Sequence, residues 1–221
     1  MILYLVTDRR RLAGHVPFED ARRCLLRQAE HAVDARIDGI IVRERDLEAR
    51  VVADLTLALV ALTRGTETRV LVSDRVDVAL ASGADGVHLR GDSIAPEVVR
   101  RMTPPGFLIG RSVHSAEETA AVDCVDYLIA GTVWASASKP EGHPLLGLDG
   151  FSAIVRAARV PVMAIGGVGI DRVRDVASVG GAGIAAIGLF MGEMEHECRA
   201  AQLDAIAREA RSLFDTSGSG S

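Results

Sequence analysis

A chain of 221 residues, 48% of them apolar and 4% aromatic, carries a formal net charge of −5. That length approaches the ~250 residues of an α/β barrel and supports one large core built from Ala, Val, Ile and Leu. A negative balance gives no field for nucleic acid or an anionic membrane, which leaves a small molecule as the expected partner.

The elements follow in chain order. An apolar run at 2–7 predicts a strand, and 18–35 predicts a helix with Cys24, Leu25, Ala29 and Ala32 on one face. Strand 39–43 precedes helix 47–64, whose Val51, Leu55, Ala58, Leu59 and Leu62 repeat the pattern. Strands 69–73, 86–89 and 107–112 alternate with helices 74–81, 95–102 and 115–122. Strands 127–130, 161–165 and 183–187 alternate with helices 148–158, 170–179 and 197–214. The stretches GHVP, TPPG, KPEGHP and VGG mark the turns.

Strand–helix alternation implies parallel pairing through right-handed crossovers. Eight such units predict an α/β fold, a single (β/α)8 TIM barrel over 1–214, with 215–221 as a flexible Ser/Gly tail. A doubly wound sheet is the alternative, usually with fewer strands at this length. Cys24, Cys124 and Cys198 have neither metal spacing nor a disulfide pattern. No stretch reads as a signal peptide or a membrane span, so the expectation is a soluble, cytoplasmic protein with a homo-oligomer left open.

Ligands of such barrels sit at the C-terminal strand ends, with phosphate on the loops after strands seven and eight. Gly166-Gly167 and Gly188 fall at those two places. Glycine lets backbone N–H groups approach an oxyanion, and a nearby helix start adds positive partial charge. The pair in register predicts a phosphate site, against service in tight turns alone.

The other strand ends hold Thr7-Asp8, then Arg43, Glu44 and Arg45, then Ser73-Asp74, His88 and Arg90. Arg111, Ser112 and His114 end strand five, and Thr132 leads into a long loop with Ser136, Ser138 and Lys139. Cations and hydroxyls without carboxylate clusters suit an anionic ligand with more than one charged group. Arg43 is costly to bury unpaired. It reads either as a contact to a ligand carboxylate or phosphate, or as half of a salt bridge with Glu44 or Asp74. Ser136, Ser138 and Lys139 read as a loop folding over an anion or as solvated. His88 and His114 are the candidates for moving a proton near neutral pH, or else walls of the pocket. No metal-ligand spacing, paired-carboxylate motif or nucleophile elbow is present.

LYLVTD, IIVRERD, SDRVDVALASGADGVHL, LIGRSVHSAEE, PVMAIGGV and GAGIAAIGLF, in that order from Leu3 to about Phe190, resemble the thiamine phosphate synthase/TenI superfamily. The resemblance implies a barrel that binds thiazole phosphate or thiamin phosphate at Gly166, Gly167, Ile187 and Gly188. Two enzymatic branches differ. The synthase branch joins a pyrimidine diphosphate to a thiazole phosphate with Mg²⁺, and its motifs are met only in part. Ile41 stands at its glutamine, Ser73 at its asparagine, and Ser93 at an aspartate that helps hold Mg²⁺. Arg90 and Gly91 stand at its Gly-Gln, whereas Asp74, Ser112 and Lys139 match.

The TenI branch aromatises a thiazole carboxylate phosphate tautomer and needs no metal. RER at 43–45 and IGRSVHS at 109–115 are closer to that branch, but Thr132 replaces its acid/base histidine. The sequence therefore leads to a TenI-like isomerase without cofactor, with His114 and then His88 as acid/base. Arg43, Arg45, Ser73, Asp74, Ser112, Thr132, Ser136, Ser138 and Lys139 would line the substrate. A divergent synthase is the alternative, the only case calling for Mg²⁺. A non-catalytic barrel that binds the thiazole or thiamin phosphate is the third reading.

Overall fold

Each short strand turns alternate side chains into the barrel and out toward the helices, so two apolar layers form. A computed structural model describes residues 1–136, 139–140, 142–191 and 200–217, and in it eight parallel strands close a barrel in sequence order. They are β1 (Ile2–Val6), β2 (Gly39–Val42), β3 (Arg69–Ser73), β4 (Gly86–Leu89), β5 (Leu108–Val113), β6 (Tyr127–Ala130), β7 (Val162–Ile165) and β8 (Gly183–Ala186). Helices α1 (Arg9–Ala13), α2 (Phe18–Asp34), α3 (Ala49–Thr63), α4 (Val76–Ala81) and α5 (Pro96–Met102) cover the first half. Helices α6 (Ala116–Ala120), α7 (Gly147–Ala157), α8 (Val173–Ser178) and α9 (Ala200–Ser217) cover the second. The expected single barrel is the observed fold.

The outer layer packs Leu5, Ile40, Val72, Val87, Ile109 and Ala164 against helical residues such as Leu25, Leu55, Leu59 and Phe151. The inner layer is smaller: Tyr4, Val6, Ile41, Leu71, Tyr127, Ile129, Met163 and Ala185. Two tyrosines fill it by lying over glycines. A Cβ on Gly39 would come within 2.8 Å of the Tyr4 ring, and one on Gly110 within 2.0 Å of the Tyr127 ring. The two rings meet edge to face with centroids 5.2 Å apart.

Three aspartates clip the closed end. Asp38, Asp85 and Asp126 each precede an even-numbered strand and accept a backbone N–H of the strand before it. The donors are Leu3 (2.8 Å), Val70 (2.8 Å) and Ile109 (2.7 Å). Each aspartate also pairs with an arginine, namely Arg211, Arg69 and Arg100.

Local details depart from the sequence reading. Helix α4 starts at Val76 rather than at position 74, because Asp74 sits in the left-handed region at φ 67°. The segment after β7 begins with a 3₁₀ turn, Ile170–Arg172, before α8. Helix α1, five residues long, was not expected; Asp8 caps it by accepting from the Arg11 N–H. Helix α9 runs on to Ser217, past the expected boundary at 214. Residues 197–199 of the expected last helix and 218–221 of the tail lie outside the described residues. Among the described residues no helix is long and apolar enough to cross a membrane.

Overpacking a filled core costs about 1–3 kcal/mol or more. Gly110→Ala is therefore expected to lower unfolding free energy by about 3 kcal/mol in urea titrations, because the Tyr127 ring has nowhere to move.

Candidate functional site

The C-terminal mouth of the barrel opens into a cavity of about 880 Å³. Its floor is the upper inner layer, Val6, Ile41, Ile129, Ile165 and Ala185. Above that floor the walls divide by chemistry.

One wall is backbone. Gly166 (φ 94°) and Gly167 (φ 63°) take conformations that favour glycine. They also leave no room for a side chain. A Cβ on Gly166 would sit 2.4 Å from Thr132 Cγ2, and one on Gly167 2.3 Å from the Ala135 carbonyl oxygen. The loop after β6 leans on them, with Trp134 N–H donating to the Gly166 carbonyl at 3.0 Å. So the glycines serve the turn. Yet the amides of Gly167, Val168, Gly169 and Gly188 find no acceptor among the described residues. Unpaired N–H groups at a cavity edge are suited to an oxyanion. Arg11, on α1, reaches this wall: a Cβ on Gly188 would lie 3.6 Å from its Nη2.

The opposite wall is cationic. Arg43, Arg45 and Arg90 line the cavity there, from the loops after β2 and β4, and Lys139 lines it from the loop after β6. The salt bridge considered for Arg43 does not form with either candidate among the described residues. Glu44 is buried and taken by others: it accepts from Thr7 Oγ1 (2.8 Å), Arg9 N–H (3.0 Å) and Arg9 Nη1 (2.8 Å). Asp74 accepts from the Ser93 hydroxyl and faces Arg90 Nε at 3.5 Å. Arg45 loses water, and with Arg43 and Arg90 close by its guanidinium is pushed below its ordinary pKa.

The two candidate histidines differ. His88 is buried and held at both ring nitrogens: Nδ1 to the Tyr127 hydroxyl (3.2 Å) and Nε2 to the Ser112 hydroxyl (2.9 Å). Its ring stacks on Tyr127 at 5.7 Å. Burial pushes its pKa down to about 4, so it is neutral near pH 7, a poor proton carrier and a firm support for Ser112. His114 is exposed at the cavity edge, and its Nδ1–H donates to the Gly131 carbonyl. In the neutral ring this leaves Nε2 as an acceptor.

Ser73, Ser112, Thr132, Ser136 and Ile187 also line the cavity, while Asp74 stands just behind Arg90 and Ser93. Ser138 lies outside the described residues. Arg111 turns outward and donates from Nη2 to the Gly91 carbonyl at 2.6 Å, supporting the loop after β4. Sequence reasoning missed Arg11 and Glu118, whose Oε2 accepts the His114 N–H at 2.8 Å. The Ser115 capping motif was the available signal for the second, since it places Glu118 at the third residue of a helix start.

The residues do not fit a Mg²⁺ site of the synthase kind. Mg²⁺ needs carboxylate oxygens free to coordinate. Here Asp92 is held by Arg90 through two contacts (3.0 and 2.8 Å), and Asp74 by Ser93 and Arg90.

The family model described as thiamine monophosphate synthase matches residues 3–190. The chain belongs to that family. A thiamine-phosphate synthase of Roseiflexus castenholzii is 35% identical over 94% of this chain and 89% of its own length. One from Anaeromyxobacter dehalogenans is 38% identical over 83% of each. The solved thiamine phosphate pyrophosphorylase from Pyrococcus furiosus superposes with a TM-score of 0.78 at 32% identity, covering 98% of this chain and 96% of that one. The 3-hexulose-6-phosphate synthase from Salmonella typhimurium, at 14% identity and a TM-score of 0.71, shares the fold alone. These family members carry the synthase name, so the comparisons support the synthase alternative rather than the TenI-like isomerase to which the sequence reading led.

Two stability measurements check this division of roles. Arg9→Met leaves the buried Glu44 carboxylate uncompensated and is expected to cost about 3–5 kcal/mol, whereas Arg43→Met should stay within about 0.5 kcal/mol. The unfolded His88 takes up a proton near 6.5 and the folded one only near 4. Its contribution is thus complete above pH 6.5 and declines as pH falls toward 4. His88→Gln should flatten the slope of unfolding free energy against pH across that window.

Proposed function

We propose that the chain is a thiamine-phosphate synthase that joins a pyrimidine, carried as its diphosphate ester, to a phosphorylated thiazole. The thiazole nitrogen donates its lone pair to the pyrimidine's methylene carbon, forming a C–N bond. The C–O bond to the diphosphate breaks, and its electron pair leaves with that group.

One observation carries the reading: unpaired backbone amides and a cluster of side-chain cations line the same cavity. The unpaired amides around Gly167 and Gly188, with Arg11, suit the compact phosphate of the thiazole. Arg43, Arg45, Arg90 and Lys139 suit a diphosphate, whose negative charge grows as the C–O bond breaks. The apolar floor of Ile41, Ile129 and Ile165 takes the flat rings and excludes water between them. The family membership points the same way. The isomerase remains the second reading because His114 has an acceptor nitrogen at the cavity edge.

Purified protein supplied with both substrates should release thiamin phosphate, detected after oxidation to its fluorescent thiochrome. Lys139→Ala should lower kcat about 10²-fold, the scale of one charge-stabilising contact at a reacting centre. Gly188→Val and Arg11→Ala should chiefly raise the KM for the thiazole phosphate. Aromatisation of the thiazole carboxylate tautomer with no thiamin phosphate formed would install the isomerase instead.

A further inference from the structure

The turn after β4 differs in character from a metal-holding loop. Arg90 extends its guanidinium between two carboxylates, reaching Asp92 Oδ1 at 3.0 Å and Oδ2 at 2.8 Å, and Asp74 Oδ2 at 3.5 Å. Ser93 closes the arrangement: its hydroxyl accepts the Arg90 N–H at 2.9 Å and donates to Asp74 Oδ1. Asp74 is itself fixed, with its N–H donating to the His88 carbonyl at 2.9 Å. Each carboxylate therefore has a cation or hydroxyl in contact.

We propose that Arg90 does the work of a divalent cation at this wall, so that the chain binds a diphosphate group without Mg²⁺. A metal site here would need the oxygens of Asp74 and Asp92, and the guanidinium already spans both. A guanidinium offers several N–H donors in a plane, a shape that matches phosphate oxygens. Asp92 uses Nε and Nη2, which leaves Nη1 with no acceptor among the described residues. Arg43 and Arg45 stand beside it, and neither forms an ion pair among the described residues. Burial lowers the pKa of Arg45, and the nearby Arg43 and Arg90 lower it further, an unfavourable crowding of like charge that a bound polyanion relieves. Ser93 fits the same logic. A third carboxylate at that position would pull Arg90 out of the cavity, whereas a hydroxyl locks Asp74 and leaves the surplus positive.

The inference deepens the synthase reading and rests on it for its biological meaning, but its test does not. Inorganic pyrophosphate is titrated into the protein by calorimetry, once with EDTA and once with millimolar Mg²⁺. The expected result is binding in EDTA that Mg²⁺ improves by less than threefold. The double variant Arg90→Gly/Ser93→Asp frees Asp74 and Asp92 and adds a carboxylate, so its pyrophosphate binding should become at least tenfold tighter with Mg²⁺ than without. Pyrophosphate that binds the parent only with Mg²⁺, or tenfold tighter with it, overturns the proposal, as does no binding at all. Thiamin phosphate formation is assayed separately under both conditions. Its absence in both sinks the synthase reading and leaves metal-free pyrophosphate binding to stand or fall on the titration.

Discussion

The stack of Tyr127 and His88 over Gly110 is the contact on which the mouth of this barrel depends. A tyrosine ring inside a small barrel needs empty space on the neighbouring strand, and Gly110 provides it. The ring then covers the inner layer, bonds His88 Nδ1 and leaves Nε2 for Ser112. Desolvation keeps that imidazole neutral, so no unpaired charge is trapped beneath the cavity. A polar pair at the edge of a dry core thus becomes a fixed platform for Ser112.

Charge above the platform is sorted by burial. The buried acid, Glu44, is saturated by Thr7 and Arg9 and belongs to the framework that holds β1 to β2. Arg43 differs: its backbone N–H is tied to Thr7 at 2.9 Å, while its guanidinium faces the cavity without an acidic partner among the described residues. Adjacent residues in the RER stretch therefore have opposite duties. The protein as a whole is negative, with a formal net charge of −5, yet this mouth presents a surplus of cations, a local reversal that suits a small polyanion.

The barrel was legible in the sequence because parallel strands and covering helices leave different periods in the apolar pattern, and each strand end marks where a ligand site lies. The places of Gly166, Gly167 and Gly188 at the cavity edge were legible for the same reason. What escaped depended on contacts distant in sequence. His88 and Tyr127 are 39 positions apart, so the sequence left the strand-end histidine open between a proton carrier and a wall of the pocket, and their contact favours the second. Arg11 sits on a five-residue helix too short to show periodicity and reaches Gly188 only after the barrel closes. Ser93 looked like a lost ligand, whereas its hydroxyl bonds Asp74. The RER and IGRSVHS stretches pointed to the isomerase branch, but Glu44 in the first is occupied by framework contacts, and such contacts do not discriminate between two chemistries.

The account's central claim is that one cavity carries two separate anion sites. Crystals grown with inorganic pyrophosphate and a phosphorylated thiazole together test it most directly. The account places the thiazole phosphate on the amides of Gly167 and Gly188 near Arg11, and the pyrophosphate against Arg43, Arg45 and Arg90, both present at once. Density for a single shared phosphate position, with either ligand displacing the other, would contradict it.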